Sequence, residues 1–156
     1  MKNKDLVFEL ENGRELNVVF VGDKKYSMNL IALSNRYRNL NVEVVEKSSN
    51  YMDILDKMKD IDIIIDYHDE KENIANLGEL QRLAFYSSSK EHRVTLGYSY
   101  INTSNEGIDN VIITSFKDEV PIVKEFEMDN EYTPYNLLQI TLNEHDNLNK
   151  GKVLVI

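Results

Sequence analysis

The residues best suited to chemistry sit in two short stretches, VVFVGDKKYSMN at 18–29 and IIIDYHDE at 63–70. In the first, an apolar run ends at Gly22, and Asp23, Lys24, Lys25, Ser27, Met28 and Asn29 precede a helical pattern that starts near Leu30. A strand, a glycine and then a helix is the outline of a phosphate-binding loop, G-x-x-x-x-G-K-[ST]. The glycines of such a loop let backbone N–H groups turn toward phosphate, its Lys neutralises β/γ-phosphate charge, and its hydroxyl holds Mg²⁺. Framed from Gly22, this chain offers Ser27, Met28 and Asn29 at the last three positions. Ser27 is a poor substitute where positive φ is required. Met28 removes the fixed cation, and Asn29 is a weaker metal partner than a hydroxyl. Lys24 and Lys25 add positive potential, but as mobile charges in the wrong place. The stretch reads as a vestigial phosphate loop, or as a plain strand–turn–helix with no ligand. Phosphoryl transfer is not expected, and neither ATP nor Mg²⁺ is an expected cofactor.

The second stretch ends three isoleucines in Asp66, with Tyr67, His68, Asp69 and Glu70 behind it. Carboxylates just outside the carboxyl ends of parallel strands lie where α/β folds bind ligands. An apolar run ending in an acid is also how a Walker-B strand presents a Mg²⁺ ligand. Tyr67 stands where a second acid would serve hydrolysis, so Asp66 and Tyr67 read as a vestigial Walker B. Asp69 and Glu70 also suit a solvated helix start, because acids favour helix N-termini. His68 has no second histidine at ligand spacing, and no metal site is expected.

The elements that would position these residues follow from periodicity. Leu6–Leu10 and Leu16–Val21 alternate as strands around Asn12-Gly13, a strong hairpin signal. Leu30, Leu33, Tyr37 and Leu40 have helical spacing, NVEVVE at 41–46 reads as a strand, and Tyr51, Ile54, Leu55 and Met58 share a second helical face. Ile61–Ile65 reads as a buried parallel strand, and Glu72–Ser88 as a third helix. Val94–Tyr100, Val111–Phe116 and Ile122–Met128 read as strands, with a first connection too short for a comfortable helical crossover. A helix over Tyr135–Leu142 and a strand in NKGKVLVI close the chain. The expected fold is a three-layer α/β/α domain over 1–156, mainly parallel, with an N-terminal β-hairpin lead-in and antiparallel additions in the C-terminal half.

At 156 residues and 42% apolar content the chain can bury a real core, and its net charge of −9 argues against nucleic acid as a partner. Without cysteine there is no disulfide, thiolate zinc site or thiol nucleophile. Apolar runs are far too short to span a bilayer, so the chain reads as cytoplasmic.

The order of these features resembles the last ATPase domain of the membrane-bound type VII secretion motor, in the FtsK/SpoIIIE family of P-loop ATPases. The resemblance rests on LVFELENGRELNVVFVGDKKYSMNLIAL, DIIIDYHDE, HRVTLGYSY, VPIVKEFEMDNEYTPYNLLQ and NKGKVLVI. It lacks the loop glycine at 27, the Lys at 28 and the paired acid at 67, and carries Lys152 where a glycine is usual. It implies a degenerate, non-catalytic domain, a piece of a longer polypeptide at the inner face of the membrane. Such a domain would recognise small helical secreted substrates or regulate upstream ATPase domains. The chain also resembles a receiver domain of two-component signalling, with Asp23 as metal ligand, Asp66 as acceptor and GIDNVIITSF as a later segment, but with Thr114 in place of the essential Lys. A free-standing acidic inhibitor is the third reading. Tyr98, Tyr100, Tyr132 and Tyr135 are candidate partner contacts by residue type, with core packing the competing role.

Overall fold

The computed structural model describes residues 15–22, 40–45, 60–67, 77–101, 108–129 and 134–150. Within them lie strands β1 (Leu16–Val21), β2 (Leu40–Val45) and β3 (Ile63–Asp66), helix α1 (Leu77–Ser87), strands β4 (Val94–Ile101), β5 (Ile108–Lys117) and β6 (Val120–Asp129), and helix α2 (Pro134–Lys150). The strands form one six-stranded sheet in the order β2-β1-β3-β4-β5-β6. The first four are parallel, while β5 and β6 run antiparallel to their neighbours, so this is an α/β fold on a mixed sheet.

The sheet is buried on both faces at its centre, as the apolar runs Val18–Val21 of β1 and Ile63–Ile65 of β3 announce. Val19, Val21, Ile64, Leu96 and Tyr98 pack with Leu80, Leu83 and Ala84 of α1. The alternate residues Val18, Phe20, Ile63, Ile65, Val111 and Ile113 pack with Leu137, Leu138 and Leu142 of α2. Each helix thus presents apolar residues at 3/4 spacing to its own sheet face. Burying one such Leu or Ile side chain contributes about 1.5–3 kcal/mol. Pro134 opens α2, where its missing N–H costs no helical bond.

One close approach and one tight turn shape this packing. A side chain at Gly97 of β4 would run into the Thr141 hydroxyl and meet Ile65 Cδ1 at 3.3 Å, so the glycine lets α2 settle onto the sheet. Asp118 and Glu119 join β5 to β6 with φ of 55° and 64°. This is a two-residue turn with both central residues left-handed, the twist that suits a hairpin.

Several expectations change. Both edges of β1 are taken, by β2 in register Val21↔Val45 and by β3 in register Val21↔Asp66, so Leu16–Val21 has no side open for a hairpin partner. Leu6–Leu10, like the helical patterns before β2 and β3, lies outside the described residues. Leu40 begins β2 rather than ending a helix, and α2 reaches Lys150, taking in the first residues of the expected closing strand.

Candidate functional site at the carboxyl ends of β1 and β3

Because β2 lies on one side of β1 and β3 on the other, the chain reverses its winding direction between β1 and β3. The crevice outside the carboxyl ends of such a strand pair is where open α/β sheets bind ligands. Gly22 and Asp66, one from each of the two sequence stretches, both lie there. Gly22 follows β1 with φ of 153°, a conformation that favours glycine, and its N–H donates to Val45 O at 2.9 Å. A Cβ at Gly22 would lie 3.4 Å from the Phe20 ring and 3.9 Å from Tyr67 O. The ends of β1, β2 and β3 are therefore drawn together at this glycine.

Asp66 stands beside Val21 on one side and Tyr98 on the other, on the sheet face covered by α1, and is fully buried. A carboxylate withdrawn from water in this way is costly unless it is compensated by its surroundings. Tyr67 turns to the opposite face and packs against the α2 cluster. Asp23, Lys24, Lys25, Ser27, Met28, Asn29, His68, Asp69 and Glu70 lie outside the described residues, so the frame is described only at Gly22, Asp66 and Tyr67.

The tyrosines divide. Tyr98 is fully buried in the core, which corrects its candidacy as a partner contact. Tyr100 is partly exposed, and its hydroxyl donates to Glu125 Oε2 at 2.9 Å. Partial burial pushes the Tyr100 phenol above its ordinary pKa, helped by the hydrogen bond to Glu125 and by that residue's negative charge. Tyr132 lies outside the described residues, as does the side chain of Tyr135.

Sequence reasoning missed two polar clusters at the other end of the sheet. Thr95 Oγ1 shares hydrogen bonds with Ser115 Oγ at 2.9 Å and His145 Nδ1 at 2.8 Å, and Arg93 Nη1 donates to Ser115 Oγ at 2.9 Å. Burial lowers the Arg93 pKa. Nearby, the fully buried Asp62 accepts from Asn17 N at 2.8 Å and lies 3.6 Å from His92 Nε2, which is 2.7 Å from Ile61 O. A hydroxyl, an imidazole and a second hydroxyl are the parts of a nucleophilic relay. Thr95 and Ser115 are fully buried and His145 nearly so, which suits pinning α2 to the sheet better than meeting a substrate. The signal in the sequence was the alternation of Thr95 and Ser99 with apolar residues in VTLGYSY.

Among the described residues, no three His, Asp or Glu side chains converge as a metal site, and no helix is long and apolar enough to cross a membrane. No protein-family model and no curated protein matches the chain. The chain is similar to a solved Mycobacterium tuberculosis protein, Rv3404c, described as uncharacterised and a candidate sugar N-formyltransferase. The two are 8% identical over 89% of this chain and 67% of that one, with a TM-score of 0.33. At that score the likeness bears on neither fold nor activity.

Proposed function

We propose that the chain works by binding rather than by turnover, as a non-catalytic α/β module that recognises or regulates another protein. The observation behind this reading is the burial of Asp66. A Walker-B acid serves by reaching the metal of an incoming nucleotide, whereas Asp66 is fully enclosed in the row Val21, Asp66, Tyr98. Met28 and Ser27 supply neither the cation nor the glycine that a phosphate seat above it would need.

The narrower frame, a degenerate terminal domain of a type VII secretion motor at the cytoplasmic face of the membrane, rests on sequence motifs alone. A three-layer α/β/α architecture belongs to the same proposal and is supported by α1 and α2 packing on opposite sheet faces. The order β2-β1-β3-β4 is that of flavodoxin-like sheets, which favours a receiver-like scaffold as far as β4. Beyond it that frame fails, because β5 is antiparallel and Thr114, at the position of the receiver's Lys, accepts from Gln81 Nε2 at 3.0 Å instead.

The test is thermal unfolding with and without millimolar Mg²⁺-ATP. A ligand at about 100 times its dissociation constant adds roughly 2.7 kcal/mol, a shift on the order of 5–10 °C for a domain of this size. No shift is expected. A clear shift would overturn the reading of a dead loop.

A further inference from the structure

Among the described residues β6 is an edge strand, the last of the sheet. Among the described residues it pairs only with β5, in an unbroken register from Ile108↔Asp129 to Lys117↔Val120. Its other side carries the outward backbone groups of alternate residues along a ten-residue strand. Natural edges are blunted by brevity, proline, charged side chains, bulges or covering elements. Pro121 and Lys124 are such devices, but the strand is otherwise long and regular. Val120 and Val123 are each 59% exposed along it.

The side chains along this edge specify what it fits. Val123, Glu125 and Glu127 stand opposite Thr114, Ile112 and Asn110 on the face that carries α1, while Ile122, Lys124 and Phe126 share the other face. Lys124 is already committed, its Nζ lying 2.8 Å from Glu144 Oε1. What remains along the strand and its turn is acidic and exposed, namely Asp118, Glu119 and Glu127, with Glu125 also exposed but already accepting the Tyr100 hydroxyl.

We infer that β6 is a docking edge for an extended segment of another protein, one that alternates apolar with basic residues and adds itself to the sheet as a further strand. Main-chain hydrogen bonds would supply affinity, and the valines and glutamates would select the side chains. A second copy of this chain fits less well. Pairing β6 with itself across a two-fold axis sets Glu125 against Glu125, or Lys124 against Lys124, in the registers centred on those residues, and brings together two chains of net charge −9. The inference rests on the reading that the chain works by protein binding, and it names the surface.

The experiment is amide NMR of the whole chain titrated with a short peptide alternating valine and lysine. Its controls are the same peptide N-methylated at alternate backbone nitrogens and a valine–glutamate counterpart. The valine–lysine peptide should shift the amides between Val120 and Glu127 and slow their exchange, while both controls leave them unmoved. The double variant Glu125→Gln, Glu127→Gln should weaken binding roughly tenfold. Equal binding of the N-methylated peptide, shifts centred on β2 or on the β1/β3 crevice, self-association through β6, or no binding would each overturn the docking edge. Any of these with no Mg²⁺-ATP shift leaves the binding-module reading standing, whereas a Mg²⁺-ATP shift removes that reading on its own.

Discussion

Replacing Gly97 by alanine should be among the costliest single-methyl additions in this fold. The new Cβ would overlap the Thr141 hydroxyl and sit 3.1 Å from Thr141 Cβ and 3.3 Å from Ile65 Cδ1. Thr141 cannot simply turn away, because its Oγ1 donates to Leu137 O at 2.7 Å inside α2 and the residue is fully buried. Either α2 lifts from the sheet or the threonine gives up that bond. Overpacking of this kind costs about 1–3 kcal/mol, the lost hydrogen bond about 1 kcal/mol, and relief of glycine's backbone entropy returns about 0.5–1 kcal/mol. The net expectation for Gly97→Ala is about 2 kcal/mol of destabilisation, a fall in Tm of roughly 4–8 °C. Equilibrium urea unfolding, followed by circular dichroism, measures it. Thr141→Ala removes the hydroxyl, so the double variant should be more stable than the two single losses predict, with a coupling of about 1–2 kcal/mol. A neutral Gly97→Ala, or strict additivity with Thr141→Ala, would show that α2 does not rest on this glycine.

Two further outcomes follow from local geometry. Glu119 holds φ of 64° without being glycine, which costs about 1–2 kcal/mol for an L-residue, so Glu119→Gly should raise thermal stability by about 1 kcal/mol while leaving the β5–β6 register intact by NMR. The Tyr100 phenol is raised in the folded state, first by burial and then by Glu125, so the folded chain holds that proton longer than the unfolded one does. Its contribution is therefore fully present below the unfolded tyrosine pKa of about 10 and is lost as pH rises through the folded value. Tyr100→Phe should flatten the alkaline fall in stability, and tyrosinate absorbance should lose a step that titrates above the ordinary tyrosine value.

The central strands were legible because burial on both faces leaves no choice of residue type. Ile63, Ile64 and Ile65 suggest an interior strand, and VTLGYSY keeps a period-2 alternation. Strand neighbours were not legible. Asn12-Gly13 is a local signal for a hairpin, but β1 exchanges its hydrogen bonds with β2 and β3, strands that begin 24 and more residues later in the register Leu16↔Leu40. Local turn propensity carries no information about which distant strands compete for the same edges. Leu40 was misread for a related reason, since its spacing from Leu33 and Tyr37 is helical while its contacts belong to the sheet.

The site was legible as a place and illegible as chemistry, and the cause lies in which face a side chain takes. A run ending in Asp66 and a strand ending in Gly22 could be expected at the carboxyl ends of the sheet. Which sheet face the acid takes, that of α1 or that of α2, depends on the parity of one strand, and a shift of one residue would reverse it. Here the parity aligns Asp66 with Val21 and Tyr98, and it puts Tyr67 on the other face, among the α2 contacts. The same parity rule sorts the polar residues of the hairpin. Thr95 and Ser115 meet on the face that α2 covers and become fixed links to His145, while Val123 and Glu125 stand on the free edge. Polar side chains buried in one cluster hold helix to sheet, and the outer backbone edge of the last strand is left to an incoming chain. That division makes the outer edge of β6, rather than the enclosed acid at the switch point, the surface on which this fold can still choose a partner.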